Sequence, residues 1–235
     1  MKKLLLFSIL FFVLCNSYAK DYPLTDNICI KSEVKNSSLF IYKSDCNKKK
    51  YLLDKFEVPN DIPEIDFVFL KNIKDERYIF ISLKYSEDYR DETNKINYAG
   101  KYHLNYVYQC KKECTFDKKI SNFLGGGGDL IDIHTKKVVY AFPYKTSNNV
   151  EKDLNSNFFK IWFNNQLNDG IVKNKTEIYE DARLNSKKIA YLISGDKFKI
   201  IDITSRWLNI SYAGRNKKPI IGWIRCEDTN VCNNK

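Results

Sequence analysis

The spacing of its cysteines constrains this chain more than any other feature of its sequence. Six of the seven cysteines lie after residue 19, beyond the N-terminal apolar segment: Cys29, Cys46, Cys110, Cys114, Cys226 and Cys232. An even number in an exported chain implies disulfides, and six cysteines allow 15 connectivities. Their short spacing favours three sequence-local pairs; a hairpin, for example, places Cys110 opposite Cys114. A zinc site, the alternative, needs four ligands at compatible spacing. We therefore predict three disulfides, no metal and no cofactor.

The N-terminus has the three parts of a secretory signal peptide. Met1-Lys2-Lys3 is positively charged, residues 4–14 are apolar, and Ser17-Tyr18-Ala19 precedes a charged Lys20. This pattern predicts cleavage after Ala19, so that residues 1–19 form the signal peptide. A lipoprotein signal at Cys15 is a minor alternative. The apolar run is too short to cross about 30 Å of hydrocarbon, so we expect no transmembrane span in the mature chain. Export with disulfides predicts a periplasmic location.

Residues 20–165 have the pattern of a disulfide-pinned antiparallel β domain. Strands rich in β-branched and aromatic residues are predicted at 28–31, 39–43, 65–70, 78–83, 102–108, 130–134 and 137–142, the last two as a hairpin. In the run 102–108, period-two alternation places the tyrosines on one face and His103 on the other, so we expect His103 to face solvent. The apolar run 158–163 is predicted to be the final strand of this domain.

Residues 166–235 carry short apolar and aromatic runs in a fixed order. These are Ile178-Tyr179, Ile189-Ala190-Tyr191-Leu192, Ser194-Gly195-Asp196, Trp207-Leu208-Asn209-Ile210 and Gly222-Trp223-Ile224. The order resembles that of the bacterial SH3-like (SH3b) domain family, small β-barrels attached to envelope proteins. The resemblance implies an SH3-like small β-barrel, and peptidoglycan as one ligand class. The first turn departs from the family: many members have Asn-Val-Arg followed by Pro, where this chain has Tyr179-Glu180-Asp181-Ala182-Arg183.

Aromatic and glycine-rich segments supply the candidates for a binding surface. The aromatic candidates are Tyr179, Tyr191, Trp207, Tyr212 and Trp223, which either fill the core or wall a ligand groove. The other candidate is the tract Gly125, Gly126, Gly127, Gly128 and Asp129. A nest of backbone amides for an anion is one interpretation of it, but no Lys-Ser/Thr step completes a P-loop. A flexible or sharply bent loop is favoured, and it is a contact surface if it is exposed.

The charge of the chain is concentrated near its C-terminus. The formal net charge is +10, and residues 171–235 contain 13 Lys and Arg against 7 Asp and Glu, a net +6. A basic surface favours acidic partners, although a charge excess also serves solubility. Outside the cytoplasm we expect no nucleic-acid partner.

No catalytic constellation is recognisable, so we predict that the chain is not an enzyme and has no catalytic residues. Each cysteine beyond residue 19 has a predicted disulfide partner, and neither His103 nor His134 lies in a motif. The first hypothesis is an envelope protein that binds a protein partner, such as an immunity-type inhibitor of a toxin acting in the periplasm. The alternatives are a peptidoglycan-binding protein for cell-wall targeting and an envelope hydrolase with an SH3-like targeting module.

Overall fold

The computed structural model describes residues 19–46, 49–57, 62–86, 90–91, 96–214 and 218–232. The predicted signal peptide, apart from Ala19, lies outside these residues. The chain divides into two compact units, Met1–Glu57 and Val58–Lys235. This boundary differs from the sequence prediction, which separates the two domains at residue 165.

The first unit is an antiparallel sheet with the simplest strand order, β1-β2-β3-β4. Its strands are β1 (Ala19–Thr25), β2 (Ile28–Lys35), β3 (Ser38–Ser44) and β4 (Lys50–Glu57). Ile30, Leu39 and Ile41 are buried. The Cys29–Cys46 disulfide joins the start of β2 to the residues after β3, as predicted.

The first part of the second unit contains nine strands and three helices. They are β5 (Glu64–Ile73), β6 (Glu76–Ser86), β7 (Arg90–Asp91), β8 (Ile96–Tyr98), β9 (Lys101–Cys110), β10 (Cys114–Phe116), α1 (Lys118–Leu124), β11 (Gly126–Gly127), β12 (Leu130–Asp132), β13 (Val138–Tyr140), α2 (Ser147–Leu154) and α3 (Asn157–Phe163). One sheet has the order β10-β9-β6-β5, with β11 also paired to β9, and a second has the order β13-β12-β8-β7. The hairpin predicted around residues 135–136 is present as β12 and β13.

The predicted strand at 158–163 is wrong, because these residues form α3. Ser156 caps the helix by accepting a hydrogen bond from the Phe159 backbone N–H. Phe159 then contacts Trp162 and Phe163, three and four residues further on, which is the spacing of one helix face. Asp117 and Thr146 cap α1 and α2 in the same way. Among the described residues, no helix is long and apolar enough to span a membrane.

The C-terminal part of the second unit is a six-stranded sheet with the order β14-β17-β18-β19-β15-β16. Its strands are β14 (Asp169–Ile171), β15 (Thr176–Tyr179), β16 (Lys188–Leu192), β17 (Lys197–Thr204), β18 (Trp207–Ala213) and β19 (Pro219–Arg225), followed by a 3₁₀ turn at Cys226–Asp228. In the described strands, β14 and β16 are the two ends of this order, and no strand pairing closes it into a barrel. The all-β fold class is confirmed, whereas the resemblance to the SH3-like family stays a prediction.

One hydrophobic core runs through the whole second unit. It contains residues from β6 and β9, from all three helices and from the C-terminal sheet, among them Phe80, Val107, Phe123, Val150, Phe158, Ile178, Leu208 and Ile224. The two remaining predicted disulfides, Cys110–Cys114 and Cys226–Cys232, are both formed in this unit. The predicted boundary at residue 165 therefore lies within a continuous core.

Candidate functional site

The five aromatic candidates of the C-terminal sheet do not form one surface. Trp207 and Tyr179 are buried and pack edge to face, with their ring centroids 5.4 Å apart. Trp223 and Tyr212 are half-buried, and the Tyr212 hydroxyl donates a hydrogen bond to Asp196. Only Tyr191 is largely exposed. Four of the five thus contribute mainly to packing.

Tyr191 belongs to a row of exposed apolar side chains on the edge strand β16. Ile189, Tyr191 and Ile193, the residue after the strand, have exposed fractions of 42%, 60% and 54%. The side chains between them point the other way, since Leu192 is fully buried and Ala190 packs against the core. We call Ile189, Tyr191 and Ile193 the edge row. Alternation with period two places one set of side chains in the core and the edge row in solvent.

Neighbouring strands fix the position of the edge row. Strand β16 pairs only with β15 among the described strands, with Tyr191 opposite Glu177. On the far side of β15, a Cβ atom at Gly222 would lie 2.7 Å from the Tyr179 carbonyl oxygen and 3.0 Å from Ile189 Cδ1. The absence of a side chain at position 222 therefore lets β19 approach β15 closely and leaves room for Ile189. The other long edge of β16 has no described strand beside it.

Lysines surround the edge row. The Lys175 ammonium lies 4.8 Å from the ring centroid of Tyr191, within range of a cation–π interaction. Lys187 and Lys188 are exposed at the start of β16, and Glu177 and Glu180 add two nearby acidic groups. Lysines on an edge strand discourage indiscriminate strand pairing, because a partner strand must tolerate their charge. Strand β16 thus offers apolar contact area, and the nearby lysines disfavour partner strands that cannot accommodate positive charge.

The glycine tract is a partly buried segment rather than an exposed loop. Gly125 makes the sharp bend, with φ of 58° at the end of α1. Gly126 and Gly127 then pair with β9, and a Cβ atom at the buried Gly128 would lie 2.6 Å from the Lys101 carbonyl oxygen. The Asp129 carboxylate accepts a hydrogen bond from the Phe142 backbone N–H at 2.8 Å and pairs with Lys145.

The tract therefore packs closely against its neighbours. Gly126, Gly127 and Gly128 line only a small cleft of about 140 Å³, with Arg183 on its other side. This volume is below the roughly 300–1,000 Å³ of typical ligand pockets.

His103 faces the interior, so its predicted exposure to solvent is wrong. The alternation along β9 is as predicted up to Val107, but the buried face is the one that carries His103, Asn105 and Val107; Tyr108 and Cys110 on the other face are buried as well. The imidazole Nδ1 lies 3.5 Å from Asp66 Oδ2, and the ring stacks on Phe142 with a centroid distance of 6.2 Å. Burial lowers the pKa of His103, so the imidazole is neutral at pH 7.

The surroundings of His103 do not make a nucleophilic site. Ser82 lies on the neighbouring strand β6, opposite Asn105, and is fully buried. A serine nucleophile must reach its substrate, and this hydroxyl has no exposed surface. The six described cysteines are all in disulfides. In the part of the chain that the structure describes, no three His, Cys, Asp or Glu side chains are grouped as a metal site requires.

Comparison of the chain with protein-family models, with curated proteins and with solved structures gives no match.

Proposed function

We propose that this chain is a non-catalytic, exported binding protein of the bacterial envelope, and that it holds a protein partner at the edge strand β16. The observation that carries the proposal is the edge row, three large apolar side chains at alternate positions along β16 and the residue after it. The outer edge of this strand is paired with no described strand. Proteins normally protect such edges, since an exposed row of backbone N–H and C=O groups pairs readily with another chain.

The partner would bind as an added strand. In this mode, main-chain hydrogen bonds to the edge provide affinity and alternate side chains provide specificity. Tyr191, with Ile189 and Ile193 beside it, would supply the apolar contact, because a tyrosine buries a large area at low entropic cost. The surrounding lysines favour a partner strand that carries acidic side chains.

Two features support an exported binding protein of this kind. The three disulfides are typical of an oxidising compartment, in agreement with the predicted signal peptide. An apolar strand edge suits a protein ligand better than a glycan, which is usually held by polar groups and several exposed aromatic rings. Within this class we rank an immunity-type inhibitor of a periplasm-acting toxin first, and peptidoglycan binding second.

The test compares two matched double variants of the mature protein, residues 20–235. The edge variant is Tyr191→Asp/Ile193→Asp. The control is Ile201→Asp/Ile221→Asp, whose side chains are as exposed, at 54% and 57%, but lie on β17 and β19. Each protein is used to capture partners from the periplasmic fraction of the source organism, and affinity is then measured with the purified partner. Loss of a central contact residue typically costs about 2 kcal/mol or more, so we expect the edge variant to bind at least about 30-fold more weakly.

The control variant should bind its partner with unchanged affinity. Equal binding by the edge variant and the control would place the interface elsewhere and contradict the proposal. Sedimentation of the wild-type protein with purified peptidoglycan sacculi, with no protein partner captured, would favour the second-ranked function.

A further inference from the structure

A second candidate site lies in the second unit, away from the edge row. It is a cleft of about 810 Å³ lined by residues of α2, by the start of α3 and by the turn between β17 and β18. Its lining includes three cationic side chains, Lys152, Lys173 and Arg206, and one acidic side chain, Asp153. Three asparagines, Asn149, Asn155 and Asn157, supply amide groups that can donate or accept hydrogen bonds.

Among the described residues that line the cleft, the acidic side chain is Asp153, and it is paired within the protein. Asp153 is 5% exposed, and its carboxylate accepts hydrogen bonds from the Tyr144 hydroxyl and from Arg206, through Nε at 3.2 Å and Nη2 at 3.0 Å. Burial raises the pKa of Tyr144 well above its usual value, so this hydroxyl remains a donor. The carboxylate is thus occupied from within the protein and offers little repulsion to an incoming anion.

The cationic side chains of the cleft have N–H donors that can still bind an anion. The described residues include no ion-pair partner for Lys152 or Lys173, both of which are exposed. Arg206 uses Nε and Nη2 for Asp153, and no described side chain accepts from Nη1. Since a guanidinium carries five N–H donors in a fixed plane, the Asp153 contact holds Nη1 in one orientation.

The backbone that presents Arg206 is held in an unusual conformation. Ser205 and Arg206 form the two-residue turn between β17 and β18, with φ of 47° and 61°. Hairpin turns of this type favour Asn-Gly, because residues with a Cβ atom are strained at positive φ. The turn is maintained by hydrogen bonds from Ser205 N to Phe123 O and from Ser205 Oγ to Leu124 O, each 2.9 Å. The fold therefore holds Arg206 at the cleft although the backbone of this turn is strained at positive φ.

We propose that this cleft binds a small polyanion, whose carboxylate or phosphate oxygens contact Lys152, Lys173 and Nη1 of Arg206. The volume is within the range of about 300–1,000 Å³ that holds small-molecule ligands. The asparagine amides would bind the polar, uncharged groups of the same ligand. This site shares no residue with the edge row, so either proposal can fail without the other.

The test measures binding of two probes, citrate and inorganic pyrophosphate, to the mature protein by isothermal titration calorimetry. The cleft variant is Lys152→Gln/Lys173→Gln, which leaves the Asp153–Arg206 pair intact. The control is Lys137→Gln/Lys160→Gln, which removes two exposed lysines that line neither the cleft nor the edge row. Removing both cleft lysines eliminates two exposed charge contacts, so it should weaken binding of each probe by roughly 3- to 30-fold.

We expect the control to bind as the wild-type protein does, and affinity to fall with added NaCl because the attraction is screened. Binding of citrate alone would identify a carboxylate ligand, and binding of pyrophosphate alone a phosphate ligand; both outcomes support the site. The proposal is overturned if neither probe binds at millimolar concentration, or if the control weakens binding as much as the cleft variant does.

Discussion

The buried Asp153 carboxylate offers the most direct test of how the second unit is stabilised. Replacement of Asp153 by alanine removes the acceptor of two hydrogen-bond donors at once, the Tyr144 hydroxyl and the Arg206 guanidinium. The Tyr144 side chain is fully buried, and a buried donor without a partner costs about 1–3 kcal/mol. The Arg206 side chain is 39% exposed, so water can replace the lost carboxylate. Loss of this ion pair therefore costs about 1 kcal/mol or less. We therefore expect Asp153→Ala to reduce the free energy of unfolding by about 1–4 kcal/mol.

A double-mutant cycle separates the two contributions. Tyr144→Phe alone should cost about 1 kcal/mol, because one hydrogen bond is lost while Arg206 still pairs with Asp153. In the Asp153→Ala protein, the same Tyr144→Phe change should be neutral or stabilising, because it removes the hydroxyl that has lost its acceptor.

Urea unfolding followed by tryptophan fluorescence suits this cycle, since all three tryptophans lie in the second unit. Asp196→Ala is the matched control, because Asp196 accepts from the hydroxyl of the half-buried Tyr212 at 3.2 Å. Its cost should be smaller than that of Asp153→Ala. Additive effects of Asp153→Ala and Tyr144→Phe would refute the reasoning, since they would show that the two side chains are not coupled.

Three further outcomes are expected. Gly128→Ala should cost about 1–3 kcal/mol, because its Cβ atom would meet a backbone carbonyl oxygen at 2.6 Å, whereas Gly214→Ala, with nothing closer than 3.7 Å, should be near neutral by the same urea assay. Burial lowers the pKa of folded His103 below its ordinary value of 6.5, so the unfolded chain takes up this proton first and stability falls as pH drops below about 6.5. His103→Asn should flatten the stability profile between about pH 7.5 and 5.5. Replacing Cys29 and Cys46 by serine should destabilise the first unit by about 3 kcal/mol, measured by urea unfolding followed by far-ultraviolet circular dichroism.

Strands were predictable from the sequence because their side chains alternate or cluster by β propensity, and the structure contains each predicted strand up to residue 142. The face of a strand that is buried was less predictable. Along β9 the tyrosines outweigh His103 and Asn105 in apolar area, which indicated the wrong face. A tyrosine tolerates partial exposure, and the buried Asn105 amide donates hydrogen bonds to Tyr144 O and Gly125 O.

The helices were missed because their signals are short. The run 158–163 is apolar at almost every position, and such a run has no period by which to distinguish a helix from a strand. The capping residues Asp117, Thr146 and Ser156 were the available signal, since each accepts from the backbone N–H three residues further on.

The edge row was hidden by a similar ambiguity. Residues 189–193 are all apolar or aromatic, so either alternating set can face the core. Only the pairing of β16 with β15 decides that Leu192 is buried and Tyr191 is exposed.

The continuous core of the second unit limits how this chain can be divided. Ile178, Leu208 and Ile224 of the C-terminal sheet belong to the same core as Phe123 and Phe158 of the helices. A fragment that began at residue 166 would lose the packing of Trp207 on Tyr140 and the hydrogen bonds that Ser205 donates to Phe123 O and Leu124 O. The C-terminal sheet is therefore not a transferable module: gene fusion, truncation or recombination would have to move residues 58–235 together to preserve it.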